Sequence, residues 1–240
     1  MYDGTVHFGA ARGIWNSSRL HQVQIGTMKL SLIPLNCSMH WCIALNMRKE
    51  RNVQWFAMLH ADICPDLWWI DTLIAEAEKH GADMMSAGVP LKDDSGLLSM
   101  GVFKPGGTFG DCHRLSLSQF LHPSFPETFG VDECVDALGR LPGETRVTGL
   151  AREALLVNTG CMVVRIDKPW ATKVWFADST AIEEVNGQWQ TASMSEDWYF
   201  SRRVAQEGGK VMATRAVKVV HRGVADFPSD RIWGQPRDMR

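Results

Sequence analysis

VQWFAMLHADICPDLWWIDTLIAEAEKHGADMMSAGVP, residues 53–90, decides how the chain is read. Val53–Leu59 is an unbroken apolar run rich in strand formers, the pattern of a strand buried on both faces of a mostly parallel sheet. Beyond it, Leu67, Ile70, Leu73, Ile74 and Ala77 fall on one helical face. Pro65 stands at the start of that helix and Gly81 just past its end, a good frame for both termini. Asp83–Pro90 is a second buried strand. Strand, helix and strand together predict a right-handed βαβ unit.

Working outward, residues 6–15 fit a short helix, residues 22–35 a strand followed by a loop, and SMHWCIALNMRKE (38–50) an amphipathic helix. From Leu91 to about Leu150 the pattern dissolves into Pro- and Gly-punctuated stretches, with one short helical segment near Val131–Leu138. A loop of that length is more often a lid or a partner-binding excursion than filler. ALLVNTGCMVVRI (154–166) reads as strand, turn, strand, and Asp167-Lys168-Pro169-Trp170 as a helix opening. SEDWYFSRRVAQEGG (195–209) reads as a helix stopped by Gly208-Gly209, and KVMATRAVKVVHRG (210–223) as closing strands. The expected organisation is one α/β domain over 1–226, with a lid or acceptor excursion at about 92–150. A loosely held tail follows at 227–240.

Composition bounds the function. The 240 residues carry 25 Lys+Arg against 27 Asp+Glu, a net charge of −2, which argues against a general polyphosphate-binding surface. No apolar run approaches the roughly 20 residues of a membrane span. The N-terminus lacks the basic and apolar regions of a signal peptide. Six scattered cysteines, without a C-x-x-C pair, read as reduced core residues of a cytoplasmic protein. Ten tryptophans against two tyrosines suit a core, or a cleft that stacks sugars or bases.

Three places could carry chemistry. His60 and Asp62 follow directly on the Val53–Leu59 strand, where open α/β sheets gather ligands; the plain alternative is that Asp62 caps the next helix. Glu196 and Asp197 follow Ser195, a good N-cap, and would occupy a first helical turn that favours negative charge. His221 closes the apolar run VKVV.

Taken in order, an apolar strand ending in His60-Ala61-Asp62, then Asn158-Thr159-Gly160, then Glu196-Asp197, then His221-Arg222-Gly223 resembles the GT-A class of nucleotide-sugar glycosyltransferases, nearest its family 2-like members. The resemblance runs from about Leu35 to Gly223. It implies a Rossmann-related domain with a mostly parallel central sheet, whose first strand is missing or shortened. It also implies transfer of a sugar from a nucleoside-diphosphate sugar, a UDP-sugar foremost, to a hydroxyl acceptor with Mn²⁺ or Mg²⁺. Asp62 and His221 would ligate the metal, with His60 in place of the usual first acidic residue of D-x-D. Tyr2, Asp3, His60, Asn158, Thr159 and Gly160 would bind the nucleotide-sugar. Glu196 and Asp197 would be the catalytic acidic pair that carries the base or a sugar-hydroxyl contact, with Asp197 favoured as the base and Glu196 then capping the helix or holding Arg202 or Arg203.

The acceptor could be a glycan, a lipid-linked sugar, a protein or a modified nucleic-acid base, facing the 92–146 stretch and Arg231, Arg237 and Arg240. A nucleotidyltransferase would need a Gly-rich phosphate loop that Gly4, Gly9 and Gly13 do not provide. A non-catalytic carbohydrate- or protein-binding domain is the alternative from another class.

Overall fold

The computed structural model describes residues 6–28, 32–104, 111–141, 149–223 and 225–234. In chain order they form α1 (Phe8–Trp15), α2 (Ile33–Arg51), β1 (Trp55–Leu59), β2 (Ile63–Pro65), α3 (Trp69–His80), β3 (Met84–Ala87), β4 (Leu97–Phe103) and β5 (Cys112–Ser116). Then come α4 (Leu117–Phe120), β6 (Thr128–Phe129), α5 (Val131–Leu138), β7 (Leu155–Leu156), β8 (Cys161–Arg165) and a 3₁₀ turn at Pro169–Lys173. The chain closes with β9 (Ser179–Val185), β10 (Gln188–Met194), α6 (Glu196–Gln206), β11 (Val211–Thr214), β12 (Val219–Arg222) and β13 (Asp226–Pro228).

The central sheet has the order β1-β8-β3-β11-β6. Only the β3–β11 pairing is parallel; β1–β8, β3–β8 and β11–β6 are antiparallel. The expected mostly parallel, Rossmann-related sheet is therefore corrected to a mixed, mainly antiparallel one. β1 and β3 do run the same way across α3, but β8 lies between them, antiparallel to both.

The apolar run of β1 misled because it reports burial and not strand direction. On one face, Trp55, Ala57 and Leu59 pack with Ile70, Leu73, Ile74 and Ala77 of α3. On the other, Phe56 and Met58 pack with Cys37 and Trp41 of α2 and Phe200 of α6. A strand covered on both faces shows no alternation whichever way its neighbours run.

The excursion is largely built into the core. Leu98, Met100, Val102 and Leu115 are fully buried, β4 pairs with β5 and β7, and β6 completes the central sheet. A third sheet has the order β13-β12-β2, and its β2 follows β1 in the chain. Pro65 ends β2 opposite Val219 and does not open a helix; α3 begins later, at Trp69. Residues 22–28 form no strand. β13 holds the start of the C-terminal stretch, with Phe227, Pro228 and Ser229 buried. All six cysteines are free thiols. Among the described residues no helix is long and apolar enough to cross a membrane.

Candidate functional site

Two pairings assemble a polar rim at one end of the central sheet. The antiparallel β1–β8 ladder ends at Leu59 opposite Cys161, and the His60 N–H then donates to the Gly160 carbonyl at 2.9 Å. Asn158-Thr159-Gly160 is thereby laid beside His60. The β2–β12 pairing sets His221 opposite Ile63, and the Arg222 N–H donates to the Asp62 carbonyl at 2.8 Å. His221 and Asp62 are neighbours for that reason, although the sequence keeps them far apart.

The Asp62 carboxylate receives the Lys92 ammonium at 2.6 Å and faces His221 Nε2 at 3.5 Å. Those contacts outweigh burial and hold the Asp62 carboxyl far below its usual range. His221 Nδ1 stands 2.7 Å from the Pro90 carbonyl. A carbonyl only accepts, so Nδ1 carries a proton, and Nε2 is the ring atom turned toward the Asp62 carboxylate. Burial lowers the pKa of His60, against the pull of the Asp197 and Asp62 carboxylates.

Deeper in, Asn158 is fully engaged. Its Nδ2 donates to Asp197 at 2.7 Å, its Oδ1 accepts from the Gly160 N–H at 2.6 Å, and its carbonyl accepts from Ser86 Oγ at 2.6 Å. Gly160 is needed for space: a Cβ there would stand 2.6 Å from Asn158 Oδ1 and collide with Ile63 Cδ1. Thr159 is fully buried, and its Oγ1 has no hydrogen-bond partner. Asp197 is buried, while Glu196 is half-buried beside it. Burial first, and then the Asp197 charge and a hydrogen bond between the two side chains, push the Glu196 carboxyl up to about 8.

The structure thus brings His60, Asp62, Asn158, Thr159, Gly160, Asp197 and His221 to one rim. Tyr2, Asp3, Arg237 and Arg240 lie outside the described residues. Several finer expectations change. Ser195 is the N-cap by position, but its side chain makes no capping bond. Arg202 pairs with Glu153 and Arg203 with Glu207, so neither holds Glu196 or Asp197. Glu196 has a raised proton affinity, and Phe200, three residues beyond Asp197, is stacked on Phe176 at 4.0 Å in the core. Two participants were missed: Lys92, and Arg114, whose guanidinium lies 4.1 Å above the Trp198 ring. An isolated Lys in a Pro- and Gly-rich stretch carries no local signal of its partner.

No family model and no curated protein matches the sequence. A solved structure titled "Crystal Structure of A197 from STIV" is similar over 88% of this chain and 81% of that one, at 13% identity and a TM-score of 0.45. A likeness at that level assigns neither fold nor function. The expectation of a GT-A enzyme is corrected on this chain's own geometry: its sheet is not the mostly parallel one that the resemblance implies. Among the described residues, moreover, no three His, Cys, Asp or Glu side chains converge as a metal cage. The assignment of the chain as a glycosyltransferase of that class falls with that sheet, and nothing in the comparisons supports its UDP and manganese labels.

Proposed function

We propose that this rim is a binding site for a nucleoside-diphosphate sugar taken up together with a divalent cation, Mn²⁺ or Mg²⁺. The observation that carries the reading is the meeting of Asp62 and His221 at 3.5 Å, with the imidazole aimed by the Pro90 carbonyl. Metal-bound histidines characteristically donate their other N–H to such a carbonyl.

The donor set fits a cation shared with phosphate. Ligands about 2.1 Å from an octahedral ion stand about 3 Å apart, close to the separation here. One carboxylate and one imidazole leave positions for phosphate oxygens, which suits Mn²⁺ or Mg²⁺ better than a closed zinc site. Lys92 adds positive charge for the diphosphate. Glu196, holding its proton at neutral pH, and the buried Asp197 offer a donor and an acceptor for sugar hydroxyls.

Thermal-shift titration of the full chain with nucleoside diphosphates and nucleotide-sugars, each with and without Mn²⁺, tests this. A selective pair should stabilise by mass action only when both members are present. Asp62→Asn should remove the Mn²⁺-dependent part and leave the fold intact. Stabilisation by no nucleotide–cation pair, or an unchanged response in Asp62→Asn, would sink the reading.

A further inference from the structure

α2 is apolar on two opposite faces. Cys37, Trp41 and Ala44 face the core. Leu32 at the N-cap, then Leu35, Met39 and Ile43, recur three or four residues apart on the outer face and are 41–65% exposed. A surface helix ordinarily turns charged and polar residues outward. We propose that this face lies on an anionic lipid surface, with Leu35, Met39 and Ile43 set among the lipids and Lys49 and Arg51 on the headgroups.

The segment 22–28 widens the face. It runs beside α2 in the opposite direction. Arg51 Nη1 donates to Gln24 Oε1 at 2.6 Å at one end, and Asn36 Nδ2 donates to the Met28 carbonyl at 3.4 Å at the other. Val23 and Ile25 are exposed on this segment. Six side chains, each about half exposed, present on the order of 500 Å² of apolar surface, as much as the largest patches on ordinary monomers.

Charge selects the occupant. α2 has no acidic residue in its first turn and ends in Arg48, Lys49, Glu50 and Arg51. Residues 6–52 carry Arg12, Arg19, Lys29, Arg48, Lys49 and Arg51 against Glu50 alone, net +5 in a chain whose total is −2. Lys49 is exposed and makes no ion pair among the described residues, and Arg51 binds the neutral Gln24. A second copy of the chain, meeting this face with its own, would offer those cations only Glu50. It would also bury less than the roughly 800 Å² per partner of a stable, specific interface. An anionic bilayer needs no shaped partner. It takes the apolar side chains into the boundary between headgroups and acyl chains, and its negative charge meets the cations. The helix would lie in the interface and not span it. None of these residues belongs to the rim at Asp62, so the inference does not depend on the nucleotide reading.

The test is co-sedimentation of the full chain with vesicles of phosphatidylcholine alone and of phosphatidylcholine mixed with phosphatidylserine, at low and high salt. The chain should sediment with the mixed vesicles only, and less so in high salt. Leu35→Gln with Ile43→Gln, at exposed positions, should lower the partition about tenfold or more. Lys49→Glu should lower it several-fold and serves even if the double variant fails to fold. No binding to the mixed vesicles overturns the proposal, as does equal binding to both kinds or binding indifferent to Lys49→Glu. Analytical ultracentrifugation of the lipid-free chain examines the other occupant. A dimer that Ile43→Gln dissociates would give this face to a second copy and equally overturn the proposal.

Discussion

At Glu196, burial and the adjacent Asp197 carboxylate act in the same direction, and the carboxyl keeps its proton far above the ordinary value of 4.5. The consequence for stability has a definite sign. Between about pH 4.5 and 8 the unfolded chain has released this proton while the folded chain still holds it, so folding loses stability as pH rises through that window. Glu196→Gln removes the penalty. The melting temperature of the variant should therefore exceed that of the wild type by a margin that widens from pH 5 to pH 8. A margin flat across that range would show that the carboxyl titrates normally. The identity of the polar residues at the rim was legible in the sequence, because His60 and Asp62 follow an apolar run and His221 ends another. Their partners were not: nothing near Asp62 announces Lys92, and nothing near Asn158 announces Asp197 or Ser86.

At the scale of elements, α2 and the β9–β10 hairpin stand at opposite extremes. Trp41 of α2 is 1% exposed, meets Phe56 and Phe200 edge-on at 5.4 and 5.2 Å, and donates from Nε1 to the Ala171 carbonyl at 3.2 Å. Trp41→Ala deletes a ring at the junction of helix and sheet and leaves that carbonyl without its donor. It should cost about 3–5 kcal/mol, read as a lowered urea midpoint; a loss under about 1 kcal/mol would mean that α2 is not part of the cooperative core. The hairpin is anchored at its end, by the buried Met194 of β10. It is a two-stranded sheet whose Ile182 and Trp189 are 71% and 73% exposed, and isolated hairpins are marginal in water. Its amides should exchange with solvent well before those of β3, β8 and β11 under native conditions. Equal protection of the two sets would show the hairpin to be covered in solution. Helical elements were well anticipated, since a 3.6-residue period is local. The hairpin escaped because in STAIEEVNGQWQTASM, residues 179–194, Met194 is buried but no run of buried side chains sets a period.

For the whole molecule, the division follows from what is local and what is not. The sequence by itself determined which segments are apolar enough to be buried, where most helices start and stop, and that Gly81 ends α3 in a left-handed turn, φ 63°. It also determined the charge balance and the polar residues that end the buried strands. Burial, helical period and turn chemistry are written in residues a few positions apart. Only the tertiary structure decided that β8 lies antiparallel between β1 and β3, that the punctuated stretch from 91 to 150 supplies β4 to β6, and that Lys92 and His221 close on Asp62. Strand direction leaves no trace in composition when helices cover both faces of a sheet, because the apolar pattern is the same either way. Side-chain partners, likewise, are chosen by which strands pair and in what register, and that choice is made by the packing of the whole chain.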